Sequence, residues 1–158
     1  MKFRQNYFNF LIGVLCIFMV PVISISCDGD DDDVQDIILT LTGNANGAQE
    51  VPAVTTAATG TLTGSYNDNT NELSYTINWT GLSGNVVAAH FHGPAATGTN
   101  ASPVIDLTVT TNGTNGNITG TQTLNATNEG FLKAGTLYYN LHTAANPGGE
   151  IRGQVSAN

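Results

Sequence analysis

From residue 36 onward the chain is a succession of short stretches rich in β-branched residues, in which apolar and polar side chains alternate. Glycine, asparagine, aspartate and proline separate these stretches, and none of them carries the sustained apolar period of an amphipathic helix. The pattern predicts eight strands, at residues 37–42, 59–66, 72–79, 86–92, 104–110, 117–124, 136–143 and 150–155. Eight short strands in roughly 120 residues favour a sandwich of two sheets or a closed Greek-key barrel.

Local patterns sharpen this expectation. The apolar residues of the third predicted strand share one parity and are therefore expected to line a buried face. These residues are Leu73, Tyr75, Ile77 and Trp79. The asparagine-rich segment 66–72 predicts a hairpin turn, because Asn and Asp tolerate left-handed backbone. Residues 86–89 are apolar at both parities, which predicts an inner strand covered on both faces.

One helical interruption is expected at residues 127–134, where Thr127 is positioned to cap a short turn. A chain of 158 residues, with 41% hydrophobic and 10% charged residues, allows one ordinary domain. Lys133 and Arg152 are the only basic residues beyond position 27, against twelve acidic ones. A partner bound through phosphates requires clustered Lys and Arg, so the sequence predicts no nucleic-acid partner.

The N-terminus has the layout of a secretory signal peptide, predicted at residues 1–26. Lys2 and Arg4 precede an apolar stretch at residues 8–25, and Pro21 interrupts this stretch, which argues against a spanning helix. The five residues ending at Cys27 resemble a bacterial lipoprotein lipobox, in which the cysteine is acylated and becomes the first mature residue. Ser24 departs from that pattern, which usually has a large aliphatic residue there.

Residues 27–35 are predicted to form an acidic tether between the lipidated cysteine and a single domain at residues 36–158. Five carboxylates lie within residues 28–33 and are expected to be solvated, since the spacing of a calcium-binding loop is missing. Such a segment also resembles surface-export signals of some Gram-negative lipoproteins. The expected location is therefore membrane-anchored, at the outer membrane or the cell surface. Cys16 would leave with the signal peptide, so no disulfide is expected.

Three segments carry most of the specific sequence signal. They read GAQEVPAV at residues 47–54, AAHFHGPA at 88–95, and YYNLHT at 138–143 followed by NPGGEIRGQ at 146–154. In this order they resemble the CHRD domain, named for its repeats in chordin and common alone in exported bacterial proteins. The resemblance covers roughly residues 37–155 and implies a single Greek-key β-sandwich, immunoglobulin-like or similar to copper/zinc superoxide dismutase. It implies location and architecture more firmly than chemistry.

All three histidines lie in these segments and form a candidate metal site. His90 and His92 are two residues apart on a predicted strand, so both side chains leave the same face about 7 Å apart at the backbone. His142, on another strand, is able to supply a third nitrogen for copper or zinc. The His-Xaa-His strand is similar to the copper-ligand strand of copper/zinc superoxide dismutases. That family uses further histidines, so only a mononuclear site is expected here.

The alternative is structural, with the histidines bonded into a buried polar network whose natural members are Glu50, Glu150 and Arg152. Glu150 and Arg152 share a parity on the last predicted strand, so an ion pair with each other or with Glu50 is expected. No nucleophile elbow, thiol nucleophile or phosphate-binding loop is found in the domain. An enzyme with an unrecognised site is a further possibility, for which the sequence names no substrate.

The sequence therefore predicts a membrane-anchored, exported lipoprotein that acts as a non-catalytic binding or structural module. The alternative is a mononuclear copper or zinc protein using His90, His92 and His142. The two hypotheses differ in the expected effect of replacing a histidine. A structural role predicts a change in stability alone, whereas a metal site predicts loss of stoichiometric metal.

Overall fold

The computed structural model describes residues 35–158, and there the predicted all-β architecture is confirmed. The strands are β1 Ile38–Asn46, β2 Thr59–Asn67, β3 Glu72–Thr80, β4 Val86–His92, β5 Pro103–Asp106, β6 Gly116–Thr123, β7 Tyr138–Thr143, β8 Ile151–Gln154 and β9 Ser156–Ala157. A 3-10 turn, Gly47–Gln49, follows β1, and the helix α1, Ala126–Lys133, lies between β6 and β7. The predicted signal peptide, Cys27 and the acidic segment 28–33 lie outside the described residues.

The strands form one curled antiparallel sheet with the order β5-β4-β7-β8-β1-β2-β3-β6, and β9 pairs with β1. Strands β8 and β1 pair at a single position, Asn46 opposite Arg152. The sheet therefore divides there into two halves that pack face to face. The Phe91 ring on β4 lies edge-on to the Tyr75 ring on β3, with 5.4 Å between centroids. The arrangement is an all-β sandwich, as predicted.

The core-facing residues of β3 are those that the alternation of apolar and polar residues in the sequence predicts. The inward residues of β3 are at most 8% exposed. These are Leu73, Tyr75, Ile77 and Trp79. The opposite face of β3 carries serine, threonine and asparagine, and its middle residue Thr76 lies in register with Thr63 on β2 and Thr119 on β6. This alternation of apolar and hydroxyl side chains makes one face of the half-sheet core and the other solvated.

The predicted hairpin between β2 and β3 is confirmed. Asn71 adopts a left-handed backbone with φ 56°, and its side-chain oxygen accepts a hydrogen bond of 3.0 Å from the Tyr66 hydroxyl. Asparagine is one of the few non-glycine residues that adopt this conformation readily. The turn therefore fixes the register in which β2 and β3 pair without interruption.

The short helix is also confirmed, but Thr127 is not its cap. Asn125 occupies the cap position, and its side-chain oxygen accepts the backbone N–H of Asn128 at 2.9 Å. Gly135, with φ 66°, follows the last helical turn and ends it, as glycine commonly does. Among residues 35–158 no helix combines the length and apolar character needed to cross a membrane.

Three expectations about the strands are wrong. Strand β5 ends at Asp106 instead of reaching residue 110, and β1 continues to Asn46, beyond residue 42. Strand β4 is an inner strand between β5 and β7, yet Val87 on its outer face is 60% exposed. An inner strand is covered laterally by its neighbours, whereas coverage of its face requires a further layer. Here loops cover the outer face of β4 only towards its C-terminal end.

Candidate functional site

The three histidines lie on the outer face of the half-sheet formed by β5, β4, β7 and β8. In β4, Ala89 and Phe91 point into the core, so His90 and His92 point outwards. Strand β7 pairs with β4 and brings His142 opposite Ala88 on the same outer face. His92 is nevertheless only 6% exposed and His142 8% exposed. The site is therefore a covered polar cluster outside the apolar core.

The three imidazole rings converge as the spacing predicts. His90 Nδ1 lies 2.9 Å from His142 Nε2. One ring nitrogen from each of His90, His92 and His142 lies within 4.8 Å of the other two. The centroid of the His90 ring lies 5.5 Å from the centroid of the His92 ring and 4.8 Å from that of the His142 ring. Such a cluster is able to offer three nitrogen ligands to one ion.

The nitrogens that point away from the shared space are also bonded. His92 Nδ1 donates to the Ala101 carbonyl and His142 Nδ1 donates to the Pro147 carbonyl, each at 2.9 Å. Because a carbonyl oxygen only accepts, each Nδ1 carries the hydrogen and each Nε2 is left with a lone pair in the neutral ring. Burial lowers the pKa of both His92 and His142, which favours that neutral form.

His90 completes the pattern at the open side of the cluster. Its Nε2 lies 3.6 Å from a carboxylate oxygen of Asp106 on β5, and its side chain is 21% exposed. Metal-binding histidines usually direct their second nitrogen to a carbonyl or carboxylate, which fixes the tautomer. The hydrogen bonds of His92 and His142 to carbonyls have this arrangement. The Asp106 carboxylate is near the second nitrogen of His90 but not hydrogen-bonded to it, and the exposure of His90 gives solvent access to the cluster.

Asn140 is a site residue that the sequence analysis missed. It lies on β7 opposite His90, is 2% exposed, and places Oδ1 2.9 Å from His92 Nε2. The available signal was its parity, because Asn140 and His142 are two residues apart on one strand.

Arg152 holds the covering loops in place and forms no ion pair among residues 35–158, contrary to expectation. Its guanidinium donates to the backbone carbonyls of Gln49 and Thr99 and to the Asn100 side chain. It also lies over the Tyr138 ring, 4.6 Å from the centroid. The Tyr138 ring in turn stacks on His92, with 4.7 Å between centroids. Arg152 thus supports the site through packing and carbonyl contacts.

Glu150 is fully buried and does not contact the histidines. Its carboxylate accepts hydrogen bonds from the hydroxyls of Thr56, Ser83 and Thr143, from the Ser83 N–H and from the Asn146 amide. Burial raises the pKa of Glu150, but the hydrogen bonds from Ser83 and Thr143 outweigh it, and the pKa lies below its usual value. Glu150 therefore connects several loops to the end of β7.

Glu50 has the opposite environment. It is 6% exposed, and its Oε1 makes no hydrogen bond within residues 35–158. Burial raises the pKa of Glu50 from 4.5 to about 7, although the positive charge of Arg152 opposes this rise. Gly149, with φ 121°, lies against the carboxylate and leaves no room for a side chain. Within residues 35–158, Glu50, Glu150 and Arg152 therefore make no direct hydrogen bond to the three histidines.

The fold and the site define a small β-sandwich domain whose three sequence motifs meet at one covered outer face. Residues 41–155 match the family model of the CHRD domain. The chain belongs to the CHRD family, as its motifs predicted, and CHRD domains are typically extracellular. No curated protein and no solved structure is found to match the chain.

Proposed function

We propose that this chain is an exported, membrane-anchored lipoprotein whose CHRD domain is a non-catalytic binding module, and that its ligand is one copper or zinc ion. His90, His92 and His142 hold this ion. The observation that carries the proposal is the orientation of the three rings. Each directs one nitrogen towards a shared space and the other towards a carbonyl or carboxylate oxygen.

The distances suit a mononuclear centre. Two nitrogens bound at about 2.1 Å to a tetrahedral ion lie roughly 3.4 Å apart. The candidate ligand atoms lie within 4.8 Å of one another, so small side-chain movements bring them to that spacing. In the metal-free protein one proton lies between His90 Nδ1 and His142 Nε2. If a metal were bound at His90 Nδ1, this hydrogen would leave Nδ1 and the neutral ring would carry its hydrogen on Nε2, which lies 3.6 Å from Asp106.

Metal content and titration test the metal site. The purified protein is titrated with Zn(II) and Cu(II) beside His90→Ala, His92→Ala and His142→Ala, with Thr63→Ala on the other half-sheet as the matched control. We expect about one equivalent of metal per chain for the parent and the control, and none for the histidine variants. Circular dichroism confirms that each variant is folded. Equal binding by parent and folded histidine variants would refute the metal site and favour the structural network.

The membrane anchor is proposed from the sequence of the N-terminus. Acyl chains on Cys27 bind a bilayer strongly, and the acidic residues 28–33 keep the domain away from the lipid surface. We expect the parent to fractionate with membranes and Cys27→Ala to appear in the soluble fraction. Protease treatment of intact cells then tests exposure at the cell surface. Membrane association of Cys27→Ala equal to that of the parent would contradict lipid anchoring.

A further inference from the structure

His92 has carbonyl oxygens on both sides of its ring. Nδ1 lies 2.9 Å from the Ala101 carbonyl, and Nε2 lies 2.9 Å from Oδ1 of Asn140. The neutral ring has one hydrogen, which the Ala101 contact requires because a backbone carbonyl only accepts. Nε2 and Oδ1 therefore direct lone pairs towards each other. A cation placed where both lone pairs reach it turns this unfavourable contact into a favourable one.

We infer that Oδ1 of Asn140 is the fourth ligand of the metal centre, which then has three nitrogen donors and one oxygen donor. This inference rests on the three-histidine site proposed above. Asn140 lies opposite His90 on the neighbouring strand and shares the outer face of β7 with His142, so the four side chains surround one space. The donor set lacks sulfur and suits Zn(II) or Cu(II) better than Cu(I).

Glu50 acts as a positioning residue for this amide. A Cβ atom built on Gly149 would be within 2.7 Å of Asn140 Nδ2 and closer still to Glu50 Oε1, so both atoms border the same small space. A carboxylate only accepts hydrogen bonds, and it therefore favours the amide nitrogen on its own side. Asn140 then has Nδ2 towards Glu50 and Oδ1 towards His92, the orientation that a metal ligand requires.

The reverse amide orientation makes the opposite prediction. With Nδ2 towards His92, the amide donates a hydrogen bond to Nε2 and occupies the lone pair that the metal needs. Asn140 would then compete with the metal, and removing the amide would strengthen metal binding. The sign of the change in affinity distinguishes a ligand from a competitor.

The decisive variant is Asn140→Leu, which has a similar shape and no amide. Zn(II) affinity is measured at pH 8 by competition with a chromophoric chelator, and the Cu(II) site is examined by electron paramagnetic resonance. If Asn140 is a ligand, Asn140→Leu is expected to weaken Zn(II) binding by about tenfold or more and to alter the Cu(II) spectrum. Asn117→Leu, on the exposed outer face of β6, is the matched control and is expected to leave both unchanged.

Glu50→Gln provides a second variant that retains Asn140. Glutamine is able to present its own N–H₂ to the amide, so it no longer fixes the orientation, and we expect weaker Zn(II) binding with a changed Cu(II) spectrum. If Asn140→Leu does not fold, Glu50→Gln tests in its place whether Asn140 is a metal ligand. Absence of metal from the parent would refute the three-histidine site itself. If the parent binds Zn(II) and the folded variants bind it equally or more tightly, the three-histidine site stands. The assignment of Asn140 as the fourth ligand is then refuted.

Discussion

Replacing Glu50 with glutamine is expected to stabilise the metal-free domain at alkaline pH. The pKa of Glu50 is raised from 4.5 to about 7 because the carboxyl is buried, and the charge of Arg152 offsets this only in part. One pKa unit corresponds to 1.36 kcal/mol, so ionising Glu50 in the folded state costs about 3 kcal/mol relative to the unfolded chain. Glutamine has a similar shape and no charge, so it avoids this cost.

The sign follows from proton binding. Between pH 4.5 and about 7 the folded state binds more protons than the unfolded state, so the free energy of unfolding falls as the pH rises. Below pH 4.5 the carboxyl is protonated in both states and the penalty is absent. The difference in unfolding free energy between Glu50→Gln and the parent is therefore expected to be about 2–3 kcal/mol larger at pH 8 than at pH 4.

Urea denaturation at pH 4, 6 and 8, with chelator present, measures this difference. Trp79 is the only tryptophan of the chain and is 4% exposed, so its fluorescence reports unfolding. The control is Glu72→Gln, which makes the same carboxyl-to-amide change at an exposed position of β3. A stability difference between Glu50→Gln and the parent that is the same at pH 4 and pH 8 would refute the reasoning.

Further predictions concern the residues that hold the loops and the hairpin. Glu150→Gln is expected to destabilise the domain by about 2–4 kcal/mol at pH 7, because it replaces a buried charged acceptor of several hydrogen bonds. Since the folded-state pKa of Glu150 is lowered, its contribution is present above about pH 4.5 and lost as the pH falls through the lower value, which acid titration of unfolding measures. Arg152→Lys is expected to cost about 2 kcal/mol in urea denaturation because lysine lacks the planar fork and the stacking on Tyr138. Asn71→Ala is expected to cost about 1–2 kcal/mol by thermal unfolding, and Asn71→Gly less, because only glycine adopts the left-handed backbone freely. Zinc at 100 times its dissociation constant is expected to stabilise the parent by about 2.7 kcal/mol and His92→Ala by none.

Features that depend on local periodicity could be predicted from the sequence. The buried face of β3, the hairpin around Asn71 and the shared face of His90 and His92 all follow from strand parity and turn chemistry. Strand parity has a period of two, so identifying a strand assigns its side chains to faces wherever no register shift interrupts the alternation, as one does between Val86 and Ala88. The convergence of His142 required only the antiparallel pairing of two neighbouring strands.

Features that depend on which loop covers which face could not be predicted. Val87 and His92 both lie on the outer face of β4, yet Val87 is 60% exposed whereas the loop containing Ala101 buries His92. The expected ion pair of Arg152 failed for the same reason. The covering loops present backbone carbonyls to the guanidinium. Every residue has a backbone carbonyl, so the sequence does not indicate which of them contact Arg152.

The two motif glutamates show how environment separates residues that are chemically identical. Glu150 is ionised at little cost, because hydroxyl and amide donors surround it and hold its pKa below the usual value. Glu50 is as deeply covered but has an unbonded oxygen and a raised pKa, so its charge weakens the fold. A purely structural role would be better served by a neutral side chain at position 50. In the inferred metal site this carboxylate borders the same small space as Asn140 Nδ2 and favours the orientation in which the amide oxygen faces the histidines. Glu50→Gln should therefore raise stability and lower metal affinity together, a combination that a structural role does not produce.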